Sequence, residues 1–468
     1  MSSDQETQWN KFRVMMAEQG LGDLPEPDPA AWQMHSELNN KIAEKIAVTE
    51  ARAIKFSEYM FSALYEPGLG YYSNGLVKFG ADGDFVTAPE LSPLFGACIA
   101  NQIDEIFLDI RKQQQSDQQT QKQYDEQVFD AEQDYKPKQQ DIESAQNQNQ
   151  ERDQDQAQEK NNSPSTLTIL EFGPGSGALC ISILRALAQK NNLPDSYYLL
   201  EVSPSLRQTQ QENIKSALPT LFHKVQWLDE LPQEITGVIL ANEVLDAMPV
   251  EKFQIGDDLE VNTLAVVSND AQEKFSFKPI SADFELKVAI DNLTQSLSEP
   301  FSAGYSSELN LWIEPWIKSL AGILKQGVAL LIDYGYPRNE YYHPQRTCGT
   351  MMCHYRQRAH DNPLLLTGLQ DITAYVDFTA VAEAADNYGL QVAGFTNQSS
   401  FLIACGLDTL VQLAQDKEPD KEYMQKIQQV KWLTLPSEMG DRFKVMALTQ
   451  NYDSSLAGFS FTDFMHRL

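Results

Sequence analysis

The 468-residue chain carries a formal net charge of −30 and 42% apolar residues, a composition that sustains a folded core and excludes wholesale disorder. Its acidity argues against a nucleic-acid partner, because neutralising phosphates needs clustered Lys and Arg. No run approaches the ~18 consecutive apolar residues of a membrane span, so no membrane partner is expected, and five scattered cysteines point to free thiols rather than a disulfide framework.

Residues 1–50 read as an N-terminal extension. Met1 to Gln19 has neither a basic region followed by an apolar core nor the Arg-rich, acid-poor make-up of a presequence, which leads to a cytoplasmic expectation. From 51 to 111, "SEYMFSALYEPGLGYYSNG" and "GDFVTAPELSPLFGACIANQIDEIF" predict a helix, a glycine-rich aromatic turn and a second helix opening near Ser92-Pro93. This is an N-terminal lid or docking layer. Within it, Thr87, Pro89 and Glu90 either close over a ligand or organise the turn before the helix. Residues 112–163 are Gln, Asp, Glu and Asn with almost no apolar side chains, a disordered insert or a solvated helical excursion.

Beyond residue 164, apolar β-prone runs alternate with helical patterns: "LTILEF", "SYYLLEV", "KVQWL", "GVILAN", "VALLIDYG", and finally "QVAGFT" with "SFLIACG". Continuous apolar strands separated by helices predict an α/β fold, a doubly wound, mostly parallel Rossmann-like sheet covered on both faces and spanning 164–410, with 411–468 packing on it. Two segments interrupt the rhythm. One, near 253–310, reads as an inserted hairpin pair after the fourth strand. The other, near 335–378, is too long for a plain connection and reads as a cap. Both begin at the carboxyl ends of strands, where open α/β sheets bind ligands.

The sharpest chemical signal is "LTILEFGPGSGALCISILRAL", an apolar strand ending in Glu171, then Gly173, Gly175 and Gly177, then a helix. Glycines let the backbone turn and approach a ligand closely. The spacing also fits the dinucleotide pattern through Gly173, Gly175 and Ala178. Glu201 ends the next strand, where an acidic residue binds ribose hydroxyls or simply caps the following helix. Asp229, past the third strand, joins this cofactor-binding set. Up to this point NAD and S-adenosylmethionine are both open.

The fourth strand decides between them. In "GVILANEVLDAMPVEKF", Asn242, Glu243, Asp246 and Pro249 follow the apolar run, where a methyl donor and its acceptor would meet. A dehydrogenase needs a proton relay there, whereas a methyltransferase needs polar groups that orient a nucleophile for in-line displacement. Glu243 and Asp246 are the catalytic candidates, and Asn242 and Thr87 are assigned to the donor. His343, His354 and His360 with Cys348 and Cys353 lack paired zinc spacing, so no metal is expected. Tyr355, Arg356 and His360 are either substrate contacts or an ordinary loop. Asp371, Thr373 and Asp377 serve the site or cap the next helix.

With these motifs in place the chain resembles the MidA family of methyltransferases, known also through a mitochondrial complex I assembly factor that methylates protein arginine. The likeness extends to "ALYEPGLGYYSNG", "GDFVTAPELSPLFG", "LLIDYGYP", "TGLQDITAYVDF" and "LPSEMGDRFKVMAL", from about Ile54 to Thr449. The resemblance implies a class I methyltransferase sheet, S-adenosylmethionine as cofactor and a protein with an accessible arginine as partner, with a homodimer left open. The alternatives are a cofactor-binding assembly factor without turnover and an NAD-linked oxidoreductase.

Overall fold

In the computed structural model, which describes residues 13, 14, 22, 24–76, 86–134, 166–269, 274–417 and 419–468, the continuous apolar runs become the parallel strands that two-sided burial requires. β1 (Thr168–Phe172), β2 (Ser196–Leu200), β3 (Val225–Leu228) and β4 (Ile235–Asn242) lie in one sheet. The chain then leaves it: β5 (Glu251–Ile255), β6 (Val261–Asn269), β7 (Lys274–Ser281) and β8 (Ser306–Leu309) make a separate antiparallel sheet in the order β7-β6-β5-β8. It returns through the long β9 (Leu324–Tyr336) and departs again into β10 (Met352–Tyr355), β11 (Arg358–His360) and β12 (Asp371–Thr373), a three-stranded cap. The two-residue β13 (Val376–Asp377) pairs with β9, and β14 (Gln391–Asn397) and β15 (Phe443–Gln450) complete the main sheet.

The main sheet runs β14-β15-β9-β4-β1-β2-β3, and only β15 is antiparallel to the rest. Strand direction of progress reverses between β1 and β4: β2 and β3 add on one side, β9 on the other. The carboxyl ends of β1 and β4 therefore open a crevice, the usual ligand position in such sheets.

Side chains alternate between faces with the strand period of two. Ile169, Val238, Leu240, Val328 and Leu330 enter one core with Phe95, Ile99, Ile183 and Leu184, from the helices Pro93–Asp134 and Ala178–Gln189. Leu170, Ile239, Ala329 and Leu331 enter the opposite core with Ile317 and Val381, from the helices Ile313–Ile323 and Phe378–Asn387. Ahead of the sheet, the helices Pro29–Val48 and Phe56–Tyr65 pack together through Leu38, Ile42, Tyr59 and Met60 and reach Ile372 of β12. This layer thus rests on the cap.

Two expectations change, and for a third, one of its two alternatives is met in part. "SFLIACG" is not a strand: Gln398–Ala404 is a helix, opened by the Asn397 side chain accepting the Ser400 N–H at 2.9 Å. Residues 411–468 do not merely pack on the sheet, since β15 lies within it between β9 and β14. The polar segment assigned to 112–163 begins as helix, because the helix opening at Pro93 continues through Asp134; the remainder of that assignment lies outside the described residues.

Candidate active site

The chain turns sharply out of β1. Gly173, Gly175 and Gly177 have φ of +56°, +56° and +87°, the left-handed region that side chains disfavour. The Gly173 N–H donates to Leu200 O at 3.1 Å, tying the loop to the end of β2. Gly177 is the N-cap of the helix Ala178–Gln189, whose Ala178 and Leu179 line the cavity with the loop. From the N-terminal layer, Glu90 accepts a hydrogen bond from the Ser176 hydroxyl.

Glu201, at the end of β2, is buried, and its two oxygens accept from Ser203 N at 2.8 Å and Gln210 Nε2 at 2.9 Å. Gln210 also donates to Gly175 O at 2.8 Å, so one side chain braces both halves of the cradle. Burial raises the Glu201 carboxyl above its ordinary range. Glu171 is pushed up to about 7 by burial, against the opposing effect of the Tyr197 hydroxyl that donates to it at 2.6 Å.

After β4 the segment Asn242–Asp246 is pinned from β9. Asp333, fully buried, accepts through Oδ2 from the N–H groups of Val244, Leu245 and Asp246 at 3.2, 2.9 and 3.2 Å, and through Oδ1 from Tyr334 N at 2.8 Å. Glu243 is held at φ +54° and donates its N–H to Ile332 O at 2.9 Å. Its carboxyl accepts from Asn242 Nδ2 and the Tyr334 hydroxyl, both at 3.1 Å. Burial first, and then the nearby Asp333 charge, push Glu243 up to about 8. The same two causes, joined by Glu243 itself, raise Asp246 well above the carboxylate range.

These residues face a cavity of about 1190 Å³. Thr87, Glu171, Gly173, Gly175, Glu201, Asn242, Glu243 and Asp246 all line it, as do Pro89, Glu90, His354, Asp371 and Thr373. Gly177 and Asp229 do not. Gly177 sits under the loop, where a Cβ would meet Ile214 Cδ1 at 3.1 Å, and Asp229 is exposed with its carboxylate on Arg207 at 2.7 Å. Asp377 caps the helix Phe378–Asn387 through Thr379 N and Ala380 N and pairs with Arg338. Tyr355 and His360 lie off the cavity, and Arg356 donates to Glu26 O at 2.9 Å.

The sequence reading missed Asp333, Tyr334, Tyr65, Tyr72 and Gln210. Tyr72 donates to Asp371 Oδ1 at 2.9 Å, and Tyr65 to Ala247 O at 3.0 Å, so the aromatic turn closes one wall of the site. "LLIDYGYP" and "LYEPGLGYY" were visible as motifs, but nothing local says which strand end they meet.

Two buried acceptors in the cavity wall, Asn242 Oδ1 and Asp246 Oδ1, have no hydrogen-bond partner among the described residues. A buried acceptor left bare costs about 1–3 kcal/mol, so these atoms suit a polar ligand. Together with the glycine positions of the loop, which put no side chain in the way, and the acidic end of β2, they fit an adenosine-bearing cofactor with a charged tail. Among the described residues, no group of three or more His, Cys, Asp or Glu side chains is arranged to hold a metal ion.

Residues 152–396 match a family model described as "Putative S-adenosyl-L-methionine-dependent methyltransferase". The chain is 27% identical over 453 residues to the Drosophila melanogaster "Protein arginine methyltransferase NDUFAF7 homolog, mitochondrial", covering 91% of this chain and 88% of that protein. It is 25% identical over 438 residues to the Danio rerio "Protein arginine methyltransferase NDUFAF7, mitochondrial", covering 88% of each. A Burkholderia thailandensis protein crystallised with S-adenosyl-homocysteine superposes with a TM-score of 0.77 at 33% identity, over 95% of this chain and 100% of that one. The cytoplasmic expectation is overturned by these relatives, which are named as mitochondrial proteins. It rested on the composition of the first residues and on the lack of a long apolar run.

Proposed function

The chain belongs to the S-adenosyl-L-methionine-dependent methyltransferases, and we propose that its acceptor is an arginine guanidinium of a protein. S-adenosylmethionine, when bound, supplies a methyl carbon already made electrophilic by the sulfonium, so the protein's work is positioning and desolvation. In this reading Gly173 and Gly175 cradle the donor, Glu201 meets its ribose, and Glu171, Asn242 and Thr87 complete its binding.

One observation carries the choice of acceptor. Glu243 and Asp246 both line the cavity, neither forms a salt bridge among the described residues, and each resists ionisation. A guanidinium stays charged at any physiological pH and matches carboxylates in a planar fork. It would bring the missing countercharge. Asp246 then orients the group through its bare Oδ1, while Glu243, near 8 with no cation beside it, gives up its proton to solvent as the guanidinium arrives, and the resulting carboxylate is placed to take the proton that the nitrogen loses on gaining the methyl. Tyr334 holds Glu243 in position by its hydrogen bond. The relatives named as protein arginine methyltransferases support the same acceptor.

Incubation with methyl-labelled donor and arginine-containing acceptor proteins, followed by acid hydrolysis and amino-acid analysis, tests this. Label is expected in methylarginine, and Glu243→Gln should lose turnover by ~10²-fold or more while keeping donor affinity. Label on lysine or on a carboxylate would move the acceptor elsewhere. Donor binding without transfer to any acceptor would favour an assembly role.

A further inference from the structure

Two large aromatic side chains stand exposed where the cavity opens. Phe61, on the helix Phe56–Tyr65, is 55% exposed, and Trp312, at the start of the helix Ile313–Ile323, is 56% exposed. Both line the cavity that holds Glu243 and Asp246. They come from separate parts of the chain, yet each is tied to the segment that carries Asp246. Tyr65, in ring contact with Phe61 at 5.6 Å, donates to Ala247 O. Asn310, whose Oδ1 accepts the Trp312 N–H at 2.9 Å, donates to Leu245 O at 3.4 Å. Asp246 lies between the two tethered residues in sequence and lines the same cavity as both rings.

We infer that Phe61 and Trp312 form an aromatic collar that docks an extended segment of the acceptor protein in which the target arginine is flanked by apolar side chains. The inference rests on the arginine reading above. Exposed aromatics beside a pocket with unpaired carboxyls are complementary to two features of one ligand: a cation that passes between the rings toward Asp246, attracted by their faces, and apolar neighbours that cover the rings outside. A small guanidino compound would be enclosed by the cavity and would leave the rings in water. A peptide covers them. Large aromatics with few rotatable bonds are also the side chains that carry most of the energy in such contacts.

Fluorescein-labelled peptides with one central arginine, flanked by Leu or by Gly, are titrated by anisotropy against wild type and the Phe61→Ala/Trp312→Ala double variant. Wild type is expected to bind the Leu-flanked peptide about tenfold more tightly than the Gly-flanked one, and the double variant to lose that preference. Its melting temperature and donor affinity should match wild type, because both rings are exposed and neither belongs to the donor cradle. Equal binding of the two peptides to wild type, or a preference that survives the double substitution, overturns the collar. So does arginine amide binding wild type as tightly as the Leu-flanked peptide. A third peptide, Leu-flanked with norleucine for arginine, separates the two readings: if it binds as well as the arginine peptide, the collar stands and the arginine acceptor falls.

Discussion

Asp333 Oδ2 accepts the main-chain N–H of Leu245 at 2.9 Å, and the N–H groups of Val244 and Asp246 converge on the same oxygen. A carboxylate that gathers consecutive amides fixes a loop without touching a ligand, and Asp333 is absent from the cavity wall. Asp333→Asn turns one oxygen into a donor that faces other donors. Because a misplacement of ~1 Å can cost ~10²-fold in rate, turnover should fall by one to two orders of magnitude, roughly, with a smaller effect on donor affinity. Steady-state kinetics and donor titration on one preparation check this; unchanged turnover would remove the positioning role.

Glu243, pushed up to about 8 from 4.5, makes the free protein's stability depend on pH. The folded state holds this proton more tightly than the unfolded chain, so the contribution is fully present below 4.5 and is lost as pH rises through about 8. The melting temperature should therefore decline across that window, and less steeply in Glu243→Gln. Parallel slopes for the two proteins would contradict the raised carboxyl.

Gly175→Val places a β-branched side chain at φ +56° in the cavity wall. Such a residue is both strained there and in the way of the donor. Calorimetry should show S-adenosylmethionine affinity reduced by at least ~100-fold, roughly 2.7 kcal/mol, with little change in the far-UV spectrum. Retained affinity would put the donor elsewhere.

The two acidic candidates beyond β2 and β3 should part company. Asp229 is outside the cavity, so Asp229→Ala is expected to leave donor affinity within about twofold. Glu201→Ala removes a buried carboxyl that lines the cavity and also frees Ser203 N and Gln210, and should weaken the donor by about tenfold or more. Equal effects of the two substitutions would refute the assignment.

Much of the site was legible because it is local. A strand followed by glycines and a helix, and an apolar run followed by Asn242, Glu243 and Asp246, each carry their geometry within a few residues. Asp333 was not legible, since its role exists only when β9 pairs with β4, and that pairing bridges the whole inserted sheet. Gln210 is hidden for the same reason: a polar residue in the middle of a helix reads as surface until Glu201 and Gly175 meet it. "SFLIACG" was misread because a short apolar run has no decisive period; the preceding Asn397, a good helix cap, was the better signal. The place of β15 was hidden as well, for "FKVMAL" reads as a buried strand wherever it is inserted.

The position of β15 has a consequence for the newborn chain. Tyr334 pairs with Phe443 and Asp333 with Lys444, so the strand that pins the Asp246 loop, apart from a two-residue contact with β13 at Gly335 and Tyr336, gains its neighbour opposite β4 only when residues 443–450 have been made. At synthesis rates of ~5–20 residues per second, β9 would present a bare hydrogen-bonding edge for on the order of 5–20 seconds. During that interval the glycine loop after β1 and the segment that Asp333 pins are both already translated. A chaperone that shields strand edges would act on this protein at β9.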